Sequence, residues 1–237
     1  MDDDFPPLTT LSRPKRRVLG TLIEKGLTTP GSYPLTLKAA TTGCNQTSNR
    51  DPVTNFSEDA VQRELDELQE VGLTAEVHTA GGRAAKYRHL LRKRVSITEP
   101  QIAVLAELLL RGRQSLGELR ARASRMVPIP NLDELREALE GLAGMGFVTA
   151  DGPLTRRGAT IDHALYEPGE TPAAPPPPAA GESAAAPPPA VDPTDPDELA
   201  AVRAATDAVR ADVDDLRDRV AKLADALDDL RRDLGVA

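Results

Sequence analysis

Cys44 is the only thiol of this chain, and a nucleophile–base pair could be built from it only with a histidine such as His78 or His89. Nothing else that such chemistry needs accompanies them. No third orienting group and no oxyanion-hole string lies nearby, and a cysteine at a helix end is far more often packed than reactive. One cysteine and 3 histidines, scattered along the chain, also make a poor metal site. Gly81-Gly82 lacks the strand–glycine–helix setting of a phosphate loop. The sequence therefore predicts no catalytic residues, no metal and no cofactor. What remains is the chemistry of nucleic-acid contact. The polar string Asn45 to Arg50 could offer Thr47, Asn49 and Arg50 to a groove, and Arg83, Lys86 and Arg88 could offer charge to phosphates. Asparagines in such a string can equally fold it into a loop closed by its own side-chain-to-backbone hydrogen bonds.

These residues need elements to hold them. Val18, Leu19, Leu22 and Ile23 recur at helical spacing, with Gly26 as the expected stop. Leu35, Leu37, Ala39 and Ala40 open a second helix that ends near Cys44. Ser57 caps a third, in which Val61, Leu65 and Leu68 form one stripe and Gly72 closes the run. Alternation then predicts a strand with Leu73, Ala75 and Val77 on one face and Thr74, Glu76 and His78 on the other. Gly81-Gly82 turns it, and Ala85 to Leu90 return. Helix, helix, helix and hairpin in this order is the layout of a winged helix.

The order then repeats. Thr98-x-x-Gln101 and Ser115-x-x-Glu118 are capping boxes, the first leading into Ile102, Leu105, Leu108 and Leu109, with Gly112 as the stop. Asn131 precedes the stripe Leu132, Leu135, Leu139 and Leu142. Phe147-Val148-Thr149 and Ile161 to Leu165 are the expected strands of a second wing.

Beyond this lies a different kind of sequence. Ten of the 28 residues from Gly169 to Pro196 are proline, which favours an extended spacer. After it, apolar residues step by three and four over about five heptads. Leu199, Val202, Val209, Val213, Leu216, Val220, Leu223, Leu227, Leu230 and Leu234 form the expected dimer seam. Arg203, Arg210, Arg217 and Arg231 at the e positions favour a parallel pair. The expected organisation is an acidic, disordered stretch at 1–11, winged-helix domains at 12–95 and 96–168, a linker at 169–196 and a coiled-coil helix at 197–237. The fold class is mainly α with small β-hairpins.

Charge is unevenly divided. Basic side chains outnumber acidic ones 14 to 9 between Ser12 and Arg94, while the stretch from Thr171 onward has 7 basic and 14 acidic, within a whole-chain net charge of -8. Yet the third helix carries Glu58, Asp59, Glu64, Asp66, Glu67 and Glu70 against Arg63 alone, and a DNA groove would repel it. The equivalent helix of the second unit, from Asn131, is acidic too, with Asp133, Glu134, Glu137 and Glu140 against Arg136. Aromatic content of 3 % leaves the cores to Leu, Val, Ile and Ala. No apolar run reaches bilayer length, and the start Met1-Asp2-Asp3-Asp4 is unlike a secretory leader, so a cytoplasmic protein with no membrane contact is expected.

Several strings resemble the YceH-like family, a bacterial family of unknown function. They are Arg17 to Lys25, Thr29-Pro30-x-x-Tyr33-Pro34-Leu35, Cys44-Asn45-Gln46 with Asn49-Arg50-Asp51-Pro52-Val53, Lys86-Tyr87-Arg88-His89, and Leu108 to Gly112 with Gly117 to Arg120. The resemblance spans roughly residues 8 to 167. It implies tandem winged helices, often with a coiled-coil tail, and no catalytic residue or ligand. This chain departs from the family at Lys15, where an acidic residue is usual, and in its degenerate second wing. Two readings follow. One is a homodimeric, regulatory protein that binds double-stranded DNA through the wing and loop of its first unit. The other is a winged-helix scaffold that binds a protein partner and no DNA. The habits of the fold favour the first.

Overall fold

A computed structural model describes residues 5–78 and 84–170. Each half of that span runs helix, short strand, helix, helix, hairpin. The first repeat contains α1 (Arg13–Thr28), β1 (Leu35–Thr36), α2 (Leu37–Cys44), α3 (Glu58–Glu70), β2 (Thr74–Val77) and β3 (Lys86–His89). After a single turn, α4 (Leu91–Arg94), the second repeat contains α5 (Glu99–Arg111), β4 (Gln114–Ser115), α6 (Leu116–Ala123), α7 (Leu132–Gly144), β5 (Val148–Ala150) and β6 (Thr160–His163). The described residues are thus mainly helical, with two small antiparallel sheets of identical order, β1-β3-β2 and β4-β6-β5.

Local chemistry sets most boundaries. The Ser57 hydroxyl accepts from Ala60 N, and both expected capping boxes, Thr98 with Gln101 and Ser115 with Glu118, are formed. Gly72 and Gly112, just past α3 and α5, take φ of 70° and 72°, backbone that favours glycine. Gly26 does not stop α1, which runs on to Thr28. Its φ is not positive, and the Thr29 N–H continues the ladder onto the carbonyl of Lys25. Leu35 belongs to a strand rather than to the second helix, because it pairs with Tyr87 at the edge of the first sheet.

The first hairpin keeps the two expected faces. Across β2 and β3, Ala75 stands opposite Arg88 and Val77 opposite Lys86, while Thr74 pairs with His89 and Glu76 with Tyr87. Tyr87 is buried and anchors the inner face; Thr74 joins it there, its hydroxyl donating to Leu65 O at 2.9 Å. Thr74 is thus buried on the more polar face, its hydroxyl satisfied by the backbone.

The two repeats share one core. α1 is buried without a break from Arg16 to Glu24, and α5 from Ile102 to Leu110, as expected of helices covered on all sides. They cross at Gly20, where an added Cβ would stand 3.0 Å from Leu110 Cγ and 3.2 Å from Leu109 Cβ. Gly20 is therefore a spacing residue, and it lets two core helices approach closely. Residues 5–11 also depart from the expected disordered terminus. Leu11 is part of the core, Leu8 packs against it, and the Phe5 ring lies against Gly72. The expected spacer from residue 171 onward and the whole coiled-coil seam, Leu199 to Leu234, lie outside the described residues. No helix among the described residues is long and apolar enough to cross a membrane.

Candidate nucleic-acid interface

The loop after α2 carries three of the residues expected at DNA. Its ends are tied by Asn45, whose amide accepts from Phe56 N and donates to Phe56 O, both at 2.8 Å. Thr54 Oγ1 donates to Cys44 O at 2.9 Å. Thr47 and Ser48 are exposed at the tip. Asn49 takes φ of 58°, a left-handed position that asparagine tolerates, and its Oδ1 accepts from Arg111 of α5 at 2.8 Å.

Arg50, expected at the interface, turns inward instead. Its side chain has no exposed surface, and it pairs with Glu24 of α1 at 2.6 Å while donating to Gly43 O and Gln46 Oε1. A guanidinium with its donors so occupied offers nothing to a phosphate. The cause lies in α1. Glu24 follows the apolar run Val18–Ile23 and is 9 % exposed, and a carboxylate placed there requires a cation. That Glu24 would need a cation was readable in principle, since it directly follows the apolar run, but not which cation would meet it.

Two further basic residues are buried as well, though with fewer of their donors occupied than those of Arg50. Arg17 donates to Cys44 O and Pro52 O; burial, then the neighbouring Arg50, lowers its pKa to about 10. Arg16 donates to Leu11 O, lies over the Tyr166 ring and forms a two-pronged pair with Glu170. Cys44 is fully buried beside these groups, and burial pushes its thiol up, as a packing residue rather than a nucleophile would have it.

Of the hairpin residues, Arg88 is exposed and Lys86 half-buried on the outer face of the first sheet. Arg83, the third expected contact, lies outside the described residues, as do the turn glycines Gly81 and Gly82. On α3, Glu58, Asp59, Asp66, Glu67 and Glu70 are exposed with Arg63. Glu67 is paired with Lys15 Nζ at 2.6 Å, and that hydrogen bond lowers its pKa. On α7, Asp133, Glu134, Glu137 and Glu140 are exposed, and Arg136 is paired to Asp133 at 2.6 Å. Both third helices therefore show solvent a mostly negative face. Among the described residues no three potential ligands gather into a metal site.

Comparison with known proteins follows this geometry. Residues 11–152, from the start of α1 through β5, match the family model described as "Protein of unknown function, DUF480". A UPF0502 protein of Geotalea daltonii is 54 % identical over 133 residues, 56 % of this chain and 61 % of the relative. Another, from Rhodopirellula baltica, is 45 % identical over 160 residues, 68 % of this chain and 67 % of the relative. A third, from Geobacter sulfurreducens, is 50 % identical over 127 residues, covering 54 % and 58 %. The chain thus spans less than two thirds of the Geotalea and Geobacter relatives.

Proposed function

From the premise that this chain belongs to the bacterial family DUF480, whose relatives carry the name UPF0502 protein, we propose that it is a non-enzymatic tandem winged-helix scaffold that docks a basic protein surface. The YceH-like likeness of its local strings is the finer form of that membership and belongs to the same proposal. Support for the winged-helix reading comes from the repeated order of helix, edge strand, helix, helix and hairpin. Support for a non-enzymatic role comes from the burial of Cys44. The proposed protein works in the cytoplasm as a parallel homodimer joined by the heptads from Leu199 to Leu234.

One observation carries the choice of a protein partner. α3, the helix that a winged helix would place in the major groove, exposes five carboxylates and one guanidinium, while Arg16, Arg17 and Arg50 are buried and add no charge to the outer surface. DNA carries about one charge per 1.7 Å, and phosphate contacts must be made by cations that are free to make them. A basic protein surface meets the same helix with favourable charge.

A second reading, duplex DNA held by its backbone, is favoured by Lys86 and Arg88 on the outer face of the hairpin, with Thr47 exposed on the preceding loop. Anisotropy of a random duplex titrated with the full chain at low and rising salt separates the two. The scaffold reading expects no binding at micromolar protein, and capture of a basic partner that is lost when Asp66 and Glu70 are replaced by lysine. Tight binding that Lys86→Ala and Arg88→Ala weaken, each removing about 0.9 from the salt slope, would establish the DNA reading instead.

A further inference from the structure

A cavity of about 310 Å³ opens between the N-terminal turn of α1, the loop at 51–56, the C-terminal end of α5 and the segment that follows β6. It is lined by four guanidiniums, those of Arg13, Arg16, Arg17 and Arg111, and by two carboxylates, Asp51 and Glu170. We propose that this cavity binds a phosphate dianion, free or as the terminal group of a small phosphomonoester.

Two of the four cations are already matched. Arg16 holds Glu170, and Arg111 stands 3.1 Å from Glu107. Arg13 and Arg17 form no ion pair among the described residues. Arg17 is the telling one. It is 4 % exposed, and its described hydrogen bonds go to two backbone carbonyls, Pro52 O at 2.7 Å and Cys44 O at 3.4 Å. A buried cation without an anion is costly, and a guanidinium has five N–H donors to satisfy. The lining includes a second unmet group. His163 is 3 % exposed, and its Nδ1 has no hydrogen-bond partner among the described residues. Burial and the nearby Arg16 keep the ring neutral at physiological pH, so it can donate one hydrogen bond without adding charge.

The pair of Arg16 and Glu170 demonstrates that an anion is accommodated on this wall, bound two-pronged. Two unmatched guanidiniums beside it suit a dianion better than a second carboxylate, and planar guanidinium forks match phosphate oxygens. The volume falls at the small end of ligand sites, which limits the rest of the molecule to a few heavy atoms. The site is assembled from both repeats, so neither could form it alone.

The test is calorimetric titration of the full chain with sodium phosphate and, separately, glycerol 3-phosphate, against sodium chloride at equal ionic strength. One saturable site is expected for at least one of the two, and which one responds tells free phosphate from ester. Arg13→Glu reverses an exposed charge at the rim and leaves the core untouched; it should weaken binding roughly tenfold or more. Arg17→Lys keeps the charge but loses the fork and should also weaken it. No saturable heat with either ligand overturns the proposal. So does an unchanged affinity in Arg13→Glu, which decides the matter even if Arg17→Lys does not fold.

Discussion

In the first repeat, the loop between the second and third helices (residues 45–57) is fastened partly from outside. Arg50 reaches Glu24 of α1, Asn49 receives Arg111 of α5, and Asp51 N donates to Leu110 O at 3.1 Å. In the second repeat the corresponding loop (124–131) is fastened from within. Arg120 donates to Ile129 O and Pro130 O, and Ser124 Oγ donates to Ile129 O. The same order of elements thus hides two uses of arginine. In the first repeat the loop arginine is buried as half of an ion pair with α1, whereas in the second an arginine of α6 only closes a turn. The difference removes Arg50 from the surface of the more basic half of the sequence.

The largest effect expected from this contrast is on stability. Arg50→Ala strands the Glu24 carboxylate in the core and should cost about 3 kcal/mol in denaturant unfolding, the low end for orphaning a buried charge. Lys25 Nζ, 3.8 Å from the same carboxylate, softens the loss. Arg120→Ala, whose partners are two carbonyls near the surface, should cost about 1 kcal/mol. Equal losses would mean that the two loops are held alike, and the comparison would break.

A point of likeness gives the next effect. Each repeat ends its last strand with a histidine, His89 in β3 and His163 in β6. Burial, then Arg92, lowers His89 to about 4; burial, then Arg16, lowers His163 to about 3. Each folded pKa lies below the unfolded value, so the unfolded chain takes up protons that the native state refuses. Stability is full above about pH 6.5 and falls as the pH drops from there toward 4 and 3. By pH 5 each ring should account for roughly 2 kcal/mol of loss. His89→Gln and His163→Gln should each flatten the curve between pH 6.5 and 5 by a similar amount. A variant that leaves the curve unchanged would show that its ring is not held neutral.

The smallest effect compares the caps of the two acidic helices. The Ser57 hydroxyl accepts one backbone N–H, from Ala60, whereas Asn131 Oδ1 accepts two, from Asp133 and Glu134. Replacement by alanine should cost about 1 kcal/mol in each case, with Asn131→Ala the more harmful. The reverse order in thermal unfolding would show that tertiary contacts, not the caps, set these helix starts.

Secondary structure was legible wherever local chemistry decides it. Capping side chains, positive-φ glycines and apolar stripes act within a few residues, so the helices α3, α5 and α7 and the strands of both hairpins could be read from spacing. The candidate interface was legible only in part. Thr47 and Arg88 are exposed and Lys86 is half-buried, but Arg50 turns inward, because a side chain's exposure depends on what is packed over it.

By itself, the sequence determined the repeated order of helices and hairpins and the acidity of the third helices, since both are written in contiguous residues. Only the tertiary structure decided that Gly20 is a crossing point rather than a weak spot in a helix, and that the two repeats share a core. It also decided that Arg17, Arg50 and Glu24 lie inside. The physical reason is the same in each case: burial and charge pairing are properties of residues brought together from distant parts of the chain, such as Gly20 with Leu110 or Arg50 with Glu24, and no local pattern specifies those partners.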